Sequence, residues 1–96
     1  MALYISLVNW TDQGIRSVKD SPARLEGARQ LARKYGCEMT HFFMTIGAYD
    51  MVVLVEGPND ESVAKFSLAL GATGSIRTST LKAVSVDAYK AISAGI

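Results

Sequence analysis

Only one cysteine, Cys37, occurs in the 96 residues, so no intramolecular disulfide can form and no cysteine-based metal site is available. A lone thiol fits a reducing compartment, and a buried structural role is its ordinary expectation. An excess of one charge is lacking too: ten basic residues stand against nine acidic ones, leaving a formal net charge of +1. That balance excludes a protein built mainly to hold phosphate backbones and gives no electrostatic pull toward a membrane surface. Neither nucleic acid nor membrane is therefore expected as a partner. No apolar run approaches the ~20 residues a membrane helix needs. The N-terminus passes directly into Ala2-Leu3-Tyr4-Ile5 without a basic region or a small-residue cleavage site, so no signal peptide is expected and the location is read as cytoplasmic. Histidine is as scarce as cysteine, with His41 alone. No catalytic or cofactor-binding motif stands out, and neither a metal nor a cofactor is expected.

What the chain does have is a core. Apolar residues make up 49% of it, too many for a disordered segment. The length suits one domain, residues 1–96, with a folded part over about 2–86 and a short C-terminal extension over 87–96. The opening run alternates, with Leu3, Ile5 and Leu7 on a wholly apolar side and Tyr4, Ser6, Val8 and Trp10 on a mixed one, as in a strand. Thr11-Asp12-Gln13-Gly14 breaks it with turn chemistry. Ser21-Pro22 starts a helix, with serine as N-cap and proline first in the helix. Its inward stripe is Leu25, Ala28, Ala32 and Tyr35, and Gly36 stops it.

A second strand over Cys37–Ile46 leads into the turn Gly47-Ala48-Tyr49-Asp50, which reads as a four-residue hairpin link. The third strand, Met51–Glu56, is apolar on both sides, as an interior strand is. Gly57-Pro58-Asn59-Asp60 opens a second helix with Val63, Phe66 and Leu70 inward and Leu68 outward. Ser75–Val86 forms a fourth strand, and Asp87–Ile92 a short terminal helix. The order β-α-β-β-α-β predicts an α+β, ferredoxin-like sandwich. Its antiparallel four-stranded sheet has the spatial order 4-1-3-2, and both helices lie on one face. The other face then carries Tyr4, Val8, Phe43 and one side of the third strand, an apolar patch of several hundred Å² that calls for a second copy, as in dimeric α/β barrels.

These elements carry motifs that cover nearly the whole chain. Besides Gly47-x-Tyr49-Asp50 there are Thr11-x-Gln13-Gly14, Pro22-x-Arg24, Pro58-Asn59-Asp60 and Gly74-x-x-Arg77-Thr78-x-Thr80-Leu81-x-Ala83. In order and spacing the chain resembles the GYD domain family. That resemblance implies a fold similar to the dimeric α/β-barrel proteins and a homo-oligomer, and it carries no settled activity.

Two groups of candidate site residues emerge. Tyr49 and Asp50 either bind a ligand, together with Lys82, or merely close the hairpin. Trp10, Arg24 and Arg77, with Asn9 and Glu56, either clamp and stack on a ligand or tie helix to sheet through an arginine–Glu56 salt bridge. Counting strand directions places Asp50 and Arg77 at opposite ends of the sheet. His41 is the one weak catalytic candidate, since imidazole titrates near neutrality. Two function classes follow: an oligomeric small-molecule-binding or regulatory domain, or a small cofactor-free enzyme of isomerase or oxygenase type. The enzyme reading expects His41, Tyr4 and Thr45 around one enclosed pocket. The first class is preferred, because the titratable side chains are dispersed.

Overall fold

A computed structural model describes residues 1–96 as one α+β unit. Strand β1 (Ala2–Trp10) is followed by a short helix α1 (Asp12–Arg16), a 3₁₀ turn over Val18–Asp20 and helix α2 (Ser21–Lys34). Strands β2 (Glu38–Met44) and β3 (Met51–Gly57) then form the hairpin, before helix α3 (Asp60–Gly71), strand β4 (Ile76–Ala83) and helix α4 (Val86–Ala94). All pairings are antiparallel and the sheet order is β2-β3-β1-β4, the expected order read from the other edge.

Local chemistry explains most boundaries. Thr11 does more than break β1: its side chain caps α1 by accepting from the Gly14 amide. Ser21 is the first helical residue of α2 instead of its cap, because the 3₁₀ turn has already set the chain in helical geometry. Asn59 caps α3 by accepting from Ser62 N at 2.9 Å, and Ser85 caps α4 in the same manner. The hairpin link is longer than four residues. Thr45 and Asp50 close a six-residue loop with Thr45 N donating to Asp50 O at 2.9 Å. Gly47 sits in it at φ +148°, where a side chain would be strained.

The faces of the sheet are the reverse of the expectation for β1. Tyr4 and Val8 do not lie on the uncovered side; with Ser6 they are buried under α2 and α3, beside Met51, Val53 and Val55 of β3. Two polar contacts make this mixed side buriable. Ser6 Oγ and Thr80 Oγ1 share a hydrogen bond at 2.9 Å, and the Tyr4 hydroxyl donates to Asp60 Oδ1. The wholly apolar side, Leu3, Ile5 and Leu7, therefore faces away from the helices. It joins Val52 and Leu54 of β3, Phe43 of β2 and Leu81 of β4 in one uncovered surface. A bulge at Thr40 turns β2 so that Met39 and Phe42 point to the helices while His41 and Phe43 point outward. Leu68 is 76% exposed, as its place off the helical stripe predicts.

Candidate functional site

The end of the sheet where β1 finishes holds most of the sequence-derived candidates. Asp50 enters β3 there by donating its amide to Val8 O at 2.9 Å and to Asn9 Oδ1 at 3.1 Å. Its carboxylate Oδ2 accepts from Trp10 N at 3.0 Å, an amide beyond the reach of the β1–β3 ladder. Thr45 Oγ1 donates to Tyr49 O at 2.6 Å and stiffens the loop. Asp50 of the Gly-x-Tyr-Asp turn is thus joined to the neighbouring strand, and the Tyr49 ring stays part-exposed.

Arg77 pairs with Asn9 in the β1–β4 register and so lies at this same end. The expectation that Asp50 and Arg77 stand at opposite ends is corrected by strand direction. Both β3 and β4 run antiparallel to β1, so both begin where β1 ends. For the same reason Lys82 is at the far end, paired with Tyr4, and cannot share a site with Tyr49 and Asp50 in one subunit. Glu56 is at the far end too, opposite Leu3, so neither Arg24 nor Arg77 reaches it. Arg24 instead donates to Ser17 O at 3.0 Å and Gly14 O at 3.2 Å, tying the last turn of α1 to the start of α2.

Helix α1 is itself fastened to the start of β4. Thr11 N donates to Ser75 O at 3.1 Å and Thr11 Oγ1 donates to Gly74 O at 2.6 Å. Gly14 is buried so close to β4 that a Cβ there would lie 1.9 Å from Ser75 O. The Thr-x-Gln-Gly motif therefore has a steric reason: only glycine fits that approach.

Above the helix-facing side of the sheet, between α2 and α3, is a half-open cavity of about 390 Å³. Its walls are mostly apolar: Val8, Met51, Val53, Phe66, Leu25 and Leu70 among them. Polar groups gather at the end described above, where Ser21, Arg24, Thr73 and Ser75 line it beside Trp10 and Ile76. Exposed Gly27 and Thr73 mark where it meets solvent. Sealed and empty, a void of 390 Å³ would cost roughly 9 kcal/mol at ~24 cal/mol per Å³, about the whole stability of a small domain. The opening removes that penalty by giving access from outside. Trp10 and Arg24 are brought together by this cavity; Tyr49, Asp50, Arg77 and Lys82 do not line it.

At the far end, Asp60 Oδ1 accepts from Tyr4 and stands 3.1 Å from Lys82 Nζ. The hydrogen bond to Asp60, reinforced by burial, pushes the Tyr4 pKa up to about 12. Reciprocally, Tyr4 and then Lys82 hold the Asp60 carboxyl below the usual carboxylate range. This cluster escaped the sequence reading, although Lys82, Tyr4 and the Pro58-Asn59-Asp60 turn all map to one end once strand directions are assigned. The Cys37 thiol is buried and its pKa raised by that burial, as in a structural cysteine.

His41 is exposed on the uncovered face, stacked on Phe43 at 6.2 Å, with Nδ1 at 3.1 Å from Thr40 Oγ1. Tyr4 is on the opposite side and Thr45 in the hairpin loop, so these three line no common pocket. No three His, Cys, Asp or Glu side chains are gathered as a metal site would require. No helix is long and apolar enough to cross a membrane.

An antiparallel four-stranded sheet with one helix-covered face, one bare apolar face and a part-open cavity defines a small α+β domain. The chain belongs to the GYD domain family, which it matches over residues 4–93. It is also 33% identical over 87 residues to the glutamine synthetase and cystathionine beta-lyase binding protein of Thermus thermophilus, covering 90% of this chain and 92% of that relative.

Proposed function

We propose that this chain is a ferredoxin-like regulatory binding domain of the cytoplasm that pairs with a second copy as a dimeric α/β barrel and engages a protein partner. The observation that carries the reading is the uncovered apolar face of the sheet. Four strands at ~4.8 Å spacing and about seven residues at ~3.3 Å give roughly 450 Å² per subunit. A mostly apolar face of that size is among the largest a typical monomer exposes, about 300–600 Å², and such faces are often functional. Two such faces bury about 900 Å², near the ~1,000 Å² of a specific interface. Tyr89 and Ile92 of helix α4 are exposed as well.

Charge placement favours a second copy as the cover. Arg77 and Glu56 are exposed on this face at opposite ends, so a two-fold axis that exchanges the ends turns Arg77 of one copy toward Glu56 of the other. The relative's name supports a protein as the further partner. The enzyme reading has less support, since His41, Tyr4 and Thr45 lie apart.

Sedimentation velocity tests both parts. The chain alone is expected at twice its 10.3 kDa mass. Mixed with the glutamine synthetase or cystathionine β-lyase of its own host, it is expected to co-sediment with one of them. Leu54→Asp, on the bare face, should give a folded monomer, whereas Val53→Asp, on the helix side, should unfold the subunit. A wild-type monomer at tens of micromolar overturns the pairing, and independent sedimentation from both enzymes overturns the protein-partner reading.

A further inference from the structure

We propose that the cavity between α2, α3 and the sheet is a binding site for a small amphiphile with an apolar body and a single anionic head, a carboxylate. It lies on the opposite side of the sheet from the surface assigned to self-association, so it does not rest on that assignment. The volume of about 390 Å³ falls within the range of small-molecule sites. Walls such as Val8, Met51, Val53, Phe66 and Leu70 offer water almost no hydrogen bonds and suit a hydrocarbon or aromatic body.

The head is chosen by what lines the polar end. Arg24 is the one charged residue of the lining, and no acidic residue lines the cavity. Its guanidinium is fixed by donating to Gly14 O and Ser17 O, which leaves its other N–H groups free for a carboxylate. Of the nearby hydroxyls, Thr73 Oγ1 is engaged with Leu70 O at 2.7 Å, and those of Ser21 and Ser75 are neutral groups that can add hydrogen bonds to the head without choosing its charge. Trp10, at the same end, supplies a flat apolar wall beside the head.

Trp10 is the chain's single tryptophan, so its fluorescence reports on this site alone. The experiment titrates sodium decanoate, decanol and decyltrimethylammonium, each below its aggregation limit, into the full chain, with calorimetry for stoichiometry. A saturable change with one decanoate per chain is expected, about tenfold tighter than decanol, with the cation weakest. Arg24→Met should bring decanoate and decanol to equal affinity, and Ala28→Phe should abolish binding of both by filling the space. Should Ala28→Phe fail to fold, the wild-type series and Arg24→Met decide the matter. Absence of saturable binding by the wild type overturns the site. Decanol binding as tightly as decanoate, or an anion preference retained in Arg24→Met, overturns the anionic head.

Discussion

The same substitution, glycine to alanine, should act in opposite directions at Gly14 and Gly27. Gly14 is buried in α1, and its new Cβ would fall 1.9 Å from the carbonyl oxygen of Ser75 and 2.9 Å from the carbonyl carbon. Neither atom is the free end of a flexible side chain, so α1 must move away from β4. Forced overpacking of this kind costs about 1–3 kcal/mol. The movement also lengthens the hydrogen bonds from Thr11 N to Ser75 O and from Thr11 Oγ1 to Gly74 O, each worth ~1 kcal/mol. The sum, roughly 3–5 kcal/mol, is a large share of the roughly 5–14 kcal/mol expected of a chain this long. At ~4–8 °C per kcal/mol, the melting temperature should fall by more than about 10 °C. Gly27, exposed in the middle of α2, has nothing within 4 Å of its would-be Cβ. Alanine there gains up to ~1 kcal/mol of helix propensity, and the melting temperature should rise by a few degrees. Parallel circular dichroism melts of the two variants make the comparison. A Gly14→Ala protein melting within about 2 °C of wild type, or two shifts of the same sign, would refute the steric account of the α1–β4 contact.

Two further outcomes are expected. Because Tyr4 binds its proton more tightly in the folded state, stability should fall as pH rises from 10 toward about 12. Asp60 binds its proton less tightly when folded, so its contribution holds above the ordinary carboxylate range and is lost as pH falls through its depressed value. Urea midpoints against pH should have a flatter alkaline limb and a shallower acid limb in Tyr4→Phe, and limbs parallel to wild type would discount the Tyr4–Asp60 bond. Removing residues 86–96 should leave the hydrogen-exchange protection of the sheet unchanged while lightening the sedimenting species, since Tyr89 and Ile92 are 62% and 58% exposed in the lone subunit. Loss of sheet protection would mean that α4 supports the subunit itself.

The order of elements and of strands was legible because both depend on local signals. Alternation marked the strands, a stripe at Leu25, Ala28 and Ala32 marked α2, and the hairpin with two crossovers left one sensible strand order. The choice of faces was not. In β1 the side containing Ser6 and Tyr4 is less apolar than that of Leu3, Ile5 and Leu7, and a count of apolar residues assigns the latter to the core. The former is buried because Thr80 and Asp60 satisfy its hydroxyls, and those partners lie 74 and 56 residues away along the chain. The apolar side is then left bare.

The site was legible only in pieces. Arg24 and Trp10 were singled out for their chemistry, and both line the cavity; the cavity itself had no signal, because the separation of α2 from α3 is not encoded in the period of either helix. Asp50 and Arg77 were separated by an error of strand direction, which also set Lys82 beside Tyr49. With β4 parallel to β3, the ends sort by chemistry. One end gathers the glycine-rich turns, Trp10 and two arginines; the other gathers Tyr4, Asp60, Lys82 and Glu56. At the second end Lys82 and Asp60 neutralise each other, whereas Arg24 at the first is held by neutral carbonyls and keeps its charge uncompensated. An uncompensated cation beside an open apolar cavity is the feature that marks this end, and not the hairpin turn alone, as the place where an anion would be held.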